Sequence, residues 1–333
     1  MNALNSVLVT GAAGFVGSRL VARLRDQGRS VHALIRDAAS APKLESIGAR
    51  VFRGDVTIPD SLKTATAGCS AVLHCAVGGS DLEQARAINV RGTENVLVAA
   101  AHAGCRRVVH VSSVVAQGRA WPPVLTETKP LELVGDPYAV TKAEAEQTAV
   151  RLARETNLEL VIVRPTIVYG PGSGRILAEL SRVTHERIKA LNGGRGHLNM
   201  IYVEDLVDGI LLALDTPGAA GESFLLSGDP AVSWREYLAH LAAMCGKPPP
   251  PSIPMWRAHL EATVARWHFR FTRHPRRIED TDFSLMHQPS VVSIEKARRI
   301  LGFHPRTSLS EGMQKTEAWL RDTGWLPAAR RAA

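Results

Sequence analysis

The first half of the chain alternates short apolar, β-branched runs with longer stretches whose apolar positions recur at helical spacing. The runs Ser6–Thr10, Ser30–Ile35, Arg50–Arg53, Ala71–His74, Arg107–Ser112 and Glu159–Arg164 read as strands. Val7-Leu8-Val9 and Val108-Val109-His110-Val111 are nearly continuous apolar segments, as in strands covered on both faces. Between the strands, Phe15–Gln27, Asp60–Thr66, Asp81–His102 and Pro137–Thr156 read as helices. Such alternation builds right-handed βαβ units, so the expected fold class is α/β, a doubly wound parallel sheet.

After Arg164 the rhythm changes. Proline and glycine cluster over 165–174 and at Gly193–Gly196, and Lys247-Pro248-Pro249-Pro250-Pro251 interrupts the later part. The expected division is 1–170 for the alternating domain and 171–326 for a smaller, helix-rich portion that returns one or two strands to the sheet. Ser293–Leu301 and Ser308–Asp322 read as helices, each opening on a serine suited to capping; the second carries Met313, Trp319 and Leu320 as apolar positions.

Composition narrows the class. At 333 residues, with 45% hydrophobic and 22% charged content, the chain can bury a full core and resembles an ordinary globular protein. It has no run of about 18 apolar residues, so no membrane span is expected. The N-terminus enters a strand without an early basic cluster, which argues against a signal peptide. Cys69, Cys75, Cys105 and Cys245 lack CxxC spacing and read as reduced core thiols, not metal ligands. These features point to the cytoplasm. The net charge of +8 suits an anionic ligand such as a dinucleotide, and equally a solvated basic face.

Directly after the first strand comes Thr10-Gly11-Ala12-Ala13-Gly14-Phe15-Val16-Gly17-Ser18. Glycines spaced three apart permit a tight strand-to-helix turn and close approach of backbone to a pyrophosphate at the helix N-terminus. Gly11, Ala13, Gly14, Phe15, Val16 and Gly17 are therefore cofactor candidates. The second strand ends Leu34-Ile35-Arg36-Asp37, with Lys43 beyond it. A guanidinium there suits a 2′-phosphate, whereas Asp37 could instead serve a ribose. NADP(H) is favoured, with NAD(H) as the alternative.

Tyr138 and Lys142 lie four apart behind Asp136, a candidate N-cap, and Pro137 at the first helical position. They share a helix face, and an ammonium beside a phenol is expected to lower its pKa toward acid–base use. Ser112 and Ser113 end the fifth strand, at the edge where open α/β sheets bind ligands, and a serine hydroxyl there can hold a reacting oxygen.

These residues together resemble the extended short-chain dehydrogenase/reductase family, in its epimerase/dehydratase-like branch. The resemblance covers nearly the whole length. It rests on the glycine loop, Gly54-Asp55-Val56, His74-Cys75-Ala76, Asn89-Val90-Arg91-Gly92-Thr93, Ser112-Ser113, the Tyr138–Lys142 pair and Arg164-Pro165 with Tyr169-Gly170-Pro171-Gly172. Val203-Glu204-Asp205, Lys296-Ala297 and Leu301-Gly302-Phe303 also fit. The resemblance implies a Rossmann-type sheet with Tyr138 as acid/base, Lys142 on the nicotinamide ribose and Ser113 on the substrate oxygen. It further implies Asp55 at the adenine with Val56, Cys75 and Ala76 in the same site, Asn89 as a brace, and Pro165 and Val168 beside the nicotinamide.

Departures from the family pattern narrow the reaction. Sugar-nucleotide dehydratases carry an acidic pair after the strand-five hydroxyl residue, where this chain has Val114-Val115. Epimerases usually carry an asparagine where this chain has Ile167. Gln117 stands where a tyrosine is frequent, which implies a non-standard substrate pocket. The pattern is closer to dihydroflavonol reductases and 3β-hydroxysteroid dehydrogenases. The expected function is interconversion of a secondary alcohol and a ketone on a fairly apolar, steroid- or flavonoid-like substrate. A nucleotide-sugar epimerase or 4-reductase is the alternative, and a non-catalytic cofactor sensor, which usually lacks the Tyr–Lys pair, is a third reading. The basic and aromatic segment 266–277 fits a solvated face, a substrate pyrophosphate or peripheral contact with anionic lipid. No nucleic-acid recognition module accompanies it. The small-molecule substrate is the expected partner, together with a second copy in a homodimer.

Overall fold

A strand whose side chains are all apolar can sit only where both faces are covered, and this rule sets the centre of the molecule. The computed structural model describes residues 4–185, 189–228, 230–257, 260, 263 and 289–327. Its main sheet has seven strands: β1 Ser6–Thr10, β2 Ser30–Ile35, β3 Arg50–Arg53, β4 Ala71–His74, β5 Arg107–Val111, β6 Glu159–Pro165 and β7 Ser223–Leu226. All pair in parallel, in the order β7-β6-β5-β4-β1-β2-β3. Strand order reverses at β1, between β2 and β4, and the crevice outside the carboxyl ends there is where such sheets bind ligands. This is the Rossmann-type α/β fold.

The helices that matter for the site are α1 Gly17–Asp26, α2 Gly92–His102, α3 Pro137–Thr156, α4 Gly174–Thr184, α5 Val203–Asp215, α6 Trp234–Met244, α7 Glu295–Leu301 and α8 Leu309–Asp322. One face of the sheet is covered by α1 and α5, through Leu20, Val21 and Leu24 against Leu206, Val207 and Ile210. The other is covered by α2 and α3, through Val96, Leu97, Ala149 and Leu152. A separate core lies under the second half, where Ile176 and Leu180 of α4, Tyr237 and Leu241 of α6, and Met313 and Leu320 of α8 meet.

Two expectations change. The helix read as continuous over 81–102 is instead an α-helical turn at Leu82–Ala85, a π-helical stretch at Arg86–Arg91 and then α2. Such widened turns occur mainly near functional sites. The fifth strand closes at Val111, one residue early, although the Ser112 amide still donates to Val163 O at 2.8 Å. The later portion returns one strand, β7, to the sheet beside β6 and covers the sheet with α5 and α7. All four cysteines are free, with Cys69 and Cys105 buried. The segment 266–277 lies outside the described residues. No described helix is long and apolar enough to cross a membrane.

Candidate active site

The glycine loop is shaped by what cannot fit. Gly11 has φ +66°, and a Cβ there would meet the Ala76 backbone nitrogen at 2.9 Å. A Cβ on Gly17 would lie 2.1 Å from the Gly11 carbonyl, so α1 starts directly on the β1 turn. The first turn of α1 has no acidic residue and no side-chain cap, which suits an anion at its positive end.

Beyond the loop opens a cleft of about 460 Å³, lined by Gly11, Ala13, Gly14, Phe15, Val16, Gly17, Arg36, Asp55, Val56, Cys75, Ala76 and Val168 among the residues expected from the sequence. It also contains Leu34, Ile35, Asp37, Gly54, Val77 and Ile88. The glycine cradle and adjoining guanidinium fit a dinucleotide. Asp37 is engaged locally, accepting from the Ala39 amide at 3.0 Å, while Asp55 accepts from the Thr57 amide at 2.8 Å. Lys43 is exposed on the short helix Ala41–Glu45 and is not in the lining. Arg19, which carries no motif signal, ties Phe15 of the cleft lining to the Pro171 segment. Its guanidinium lies 4.8 Å from the Phe15 ring centroid, donates to Phe15 O at 2.7 Å and reaches Pro171 O.

Tyr138 lies in the first turn of α3, which Asp136 caps by accepting from the Ala139 amide at 3.0 Å. Ser113 follows β5 and caps the short turn Val114–Gln117. Tyr138 and Ser113 line a second cleft of about 320 Å³ with Val114, Val115, Arg119, Trp121, Pro165, Thr166, Ile167, Val168, Arg175, His197, Leu198 and Asn199. Val168 borders both clefts.

Lys142 is buried below. Its ammonium donates to Val111 O at 2.9 Å and lies 5.9 Å from the Tyr138 ring centroid. Burial pushes its pKa down to about 8, against the opposing pull of Cys75 and Glu146. Tyr138 differs from expectation. The residue is 42% exposed, yet protein crowds its hydroxyl. That desolvation raises the phenol above its ordinary value, opposed by a hydrogen bond with Ser113. The lysine, occupied by Val111, is not among the causes.

Several sequence candidates prove to be supports. Asn89 is buried, accepting from the Gly78 amide at 3.0 Å and donating to Thr141 Oγ1 at 2.9 Å. Gln117 does not line the substrate cleft. It is fully buried and its amide donates to Thr126 O at 2.9 Å and Lys129 O at 2.7 Å. Glu146, one turn after Lys142, accepts from Ser112 and from Arg164 Nη2 at 2.7 Å. Arg119, Trp121, Arg175, His197 and Asn199 gave no sequence signal, because only folding brings them to one wall.

A parallel sheet with a glycine-rich loop after β1 and a Ser–Tyr–Lys group beyond β5 defines the class of dinucleotide-dependent short-chain oxidoreductases. The model of the NAD dependent epimerase/dehydratase family matches residues 7–226, and the chain belongs to that family as an NAD(P)-dependent enzyme. A 4-hydroxy-2-methyl-3-oxo-4-farnesyl-3,4-dihydroquinoline-1-oxide ketoreductase from Stigmatella aurantiaca is 32% identical, covering 92% of this chain and 93% of its own. A 2-alkyl-3-oxoalkanoate reductase from Stenotrophomonas maltophilia (strain K279a) is 30% identical over 94% and 98%. Among solved structures, MoeE5 in complex with UDP-glucuronic acid and NAD superposes with a TM-score of 0.75 at 27% identity, covering 96% of this chain and 99% of that one.

Proposed function

We propose that this enzyme interconverts a secondary alcohol and a ketone on a fairly apolar substrate, using NADP(H). The observation that carries the reading is the shared border at Val168. It joins the cleft of the glycine loop to one whose wall holds Tyr138 and Ser113 among Val114, Val115, Trp121, Ile167 and Leu198. The two ketone reductases among the relatives support the reading. The preference for NADP(H) rests on Arg36 in the cleft lining while Asp37 caps its own turn.

In this reading a bound nicotinamide supplies or accepts the hydride at the substrate carbon. The Ser113 hydroxyl holds the substrate oxygen, and Tyr138 hands it a proton. The phenol is protonated at neutral pH, as the acid in ketone reduction must be, and the Ser113 hydrogen bond opposes the desolvation that would otherwise weaken it as a donor. Lys142 holds the nicotinamide ribose. Residues 1–170 carry the cofactor together with the catalytic wall of the substrate cleft, and 171–326 completes that cleft with Arg175, His197, Leu198 and Asn199. A cytoplasmic homodimer, joined through the adjacent helices α2 and α3, completes the proposal.

A nucleotide-sugar reaction is the second reading, favoured by the likeness to MoeE5. Oxidation of NADPH and NADH should be measured across apolar ketones, with UDP-sugar conversion followed alongside. The expected result is turnover of ketones, faster with NADPH, and none of UDP-sugars. Tyr138→Phe should lower kcat by about 10²–10⁴-fold while cofactor affinity stays within about twofold. Conversion of a UDP-sugar without ketone turnover would replace this reading with the second. A cofactor bound but never consumed would favour a sensor.

A further inference from the structure

The second cleft carries an apolar wall of Val114, Val115, Trp121, Ile167 and Leu198, yet two guanidinium groups line it as well. Arg119 and Arg175 are in its lining, and no aspartate or glutamate is among the described residues there. A cleft built only for a neutral steroid-like body would not need two guanidinium groups, whose desolvation is costly. Arg119 serves the N-cap of α3 by pairing with Asp136. Arg175 has no comparable task at the catalytic helix. It sits in the first turn of α4, where no acidic side chain stands and the Ser173 cap makes no side-chain bond, so the helix end adds positive potential.

Arg175 is also held in place. Its Nε lies 2.8 Å from Glu179 Oε1, at an angle that makes an ion pair but no hydrogen bond. Glu179 is itself buried and accepts the Tyr237 hydroxyl, so the carboxylate is anchored from behind, outside the cleft lining. The Arg175 side chain remains 38% exposed and lines the cleft. A planar guanidinium fixed at the edge of an apolar cleft matches a carboxylate or similar oxyanion.

We propose that Arg175 binds an anionic head group of the substrate, so that the enzyme acts on oxo acids or hydroxy acids with an apolar body. The inference rests on reading this cleft as a ketone-reducing site. It goes further by assigning the head group and the residue that selects it.

The test compares 3-oxooctanoate, its methyl ester and 2-octanone, each with NADPH, in the wild type and in Arg175→Gln and Arg175→Lys. In the wild type kcat/KM for the acid should exceed that for the ester by about tenfold or more. Arg175→Gln should remove most of that advantage and leave the ester within about threefold, and Arg175→Lys should restore part of it. Equal use of acid and ester by the wild type, or an equal loss of both in Arg175→Gln, overturns the proposal. If none of the three carbonyls is consumed, the reductase reading fails separately. Calorimetric titration of 3-hydroxyoctanoate and its methyl ester into the enzyme with NADP+ then decides. Tighter binding of the acid, lost in Arg175→Gln, upholds the anion site; equal or absent binding overturns it.

Discussion

Lys142 shows how a residue pair can be legible while its electrostatics are not. The four-residue spacing identifies Tyr138 and Lys142 as neighbours on one helix, and they are. Spacing says nothing of depth, and burial sets the sign at both groups: the phenol rises and the ammonium falls to about 8. In its proposed role on the nicotinamide ribose, the ammonium would be held charged by the dinucleotide and its pKa raised in the complex. Affinity should therefore be constant below about pH 8 and fall above it, as the free enzyme loses a charge the complex retains. The fall should approach tenfold per pH unit until the complex also deprotonates. Cofactor titrations by fluorescence between pH 7 and 9.5 measure this, and Lys142→Met should flatten the profile. A slope unchanged in that variant would show that another group titrates.

The elements of the first half were legible because propensity and burial agree. β1 to β4 form at the expected residues, and α3 runs over Pro137–Thr156 with its expected aspartate cap. The stretch 81–102 was legible as helix, but its π-helical centre answers to a tertiary demand. Asn89 within it faces Thr141 of α3. The glycine loop is the element most open to test, since Gly14 and Gly17 face the same obstacle at different distances. Gly17→Ala drives a Cβ into the Gly11 carbonyl, whereas a Cβ on Gly14 stays 3.1 Å away from it. Gly17→Ala should destabilise by about 3 kcal/mol or more and weaken cofactor binding at least about tenfold, with Gly14→Ala well short of both. Urea unfolding with cofactor titration ranks the two variants, and equal effects would refute the close-approach argument.

Across the whole molecule, Arg107 joins the two halves. It starts β5, is fully buried and pairs with Glu159 Oε2 at 2.7 Å, while Nη1 donates to Leu214 O at 2.6 Å and Thr216 O at 2.8 Å. One guanidinium thus closes the C-terminal end of α5 onto the sheet. In the sequence Arg107 looks like a charged strand start, no different from Arg106. Arg107→Met should cost about 2–3 kcal/mol, because it leaves the Leu214 and Thr216 carbonyls without their donor, while Glu159 keeps its bond from Arg106. Arg106→Ala, at a half-buried arginine, should cost less than about 1 kcal/mol. Equilibrium unfolding of both variants checks the contrast.

From its sequence alone this protein declared a parallel α/β sheet, a dinucleotide loop and a Ser–Tyr–Lys group, because each depends on local spacing and on the alternation of covered strands with helices. Tertiary structure decided which wall Arg119, Arg175 and His197 share, that Gln117 serves as a brace, and which way the Tyr138 and Lys142 protons are biased. Those outcomes depend on desolvation and on contacts between residues far apart in the chain, and no local pattern encodes either.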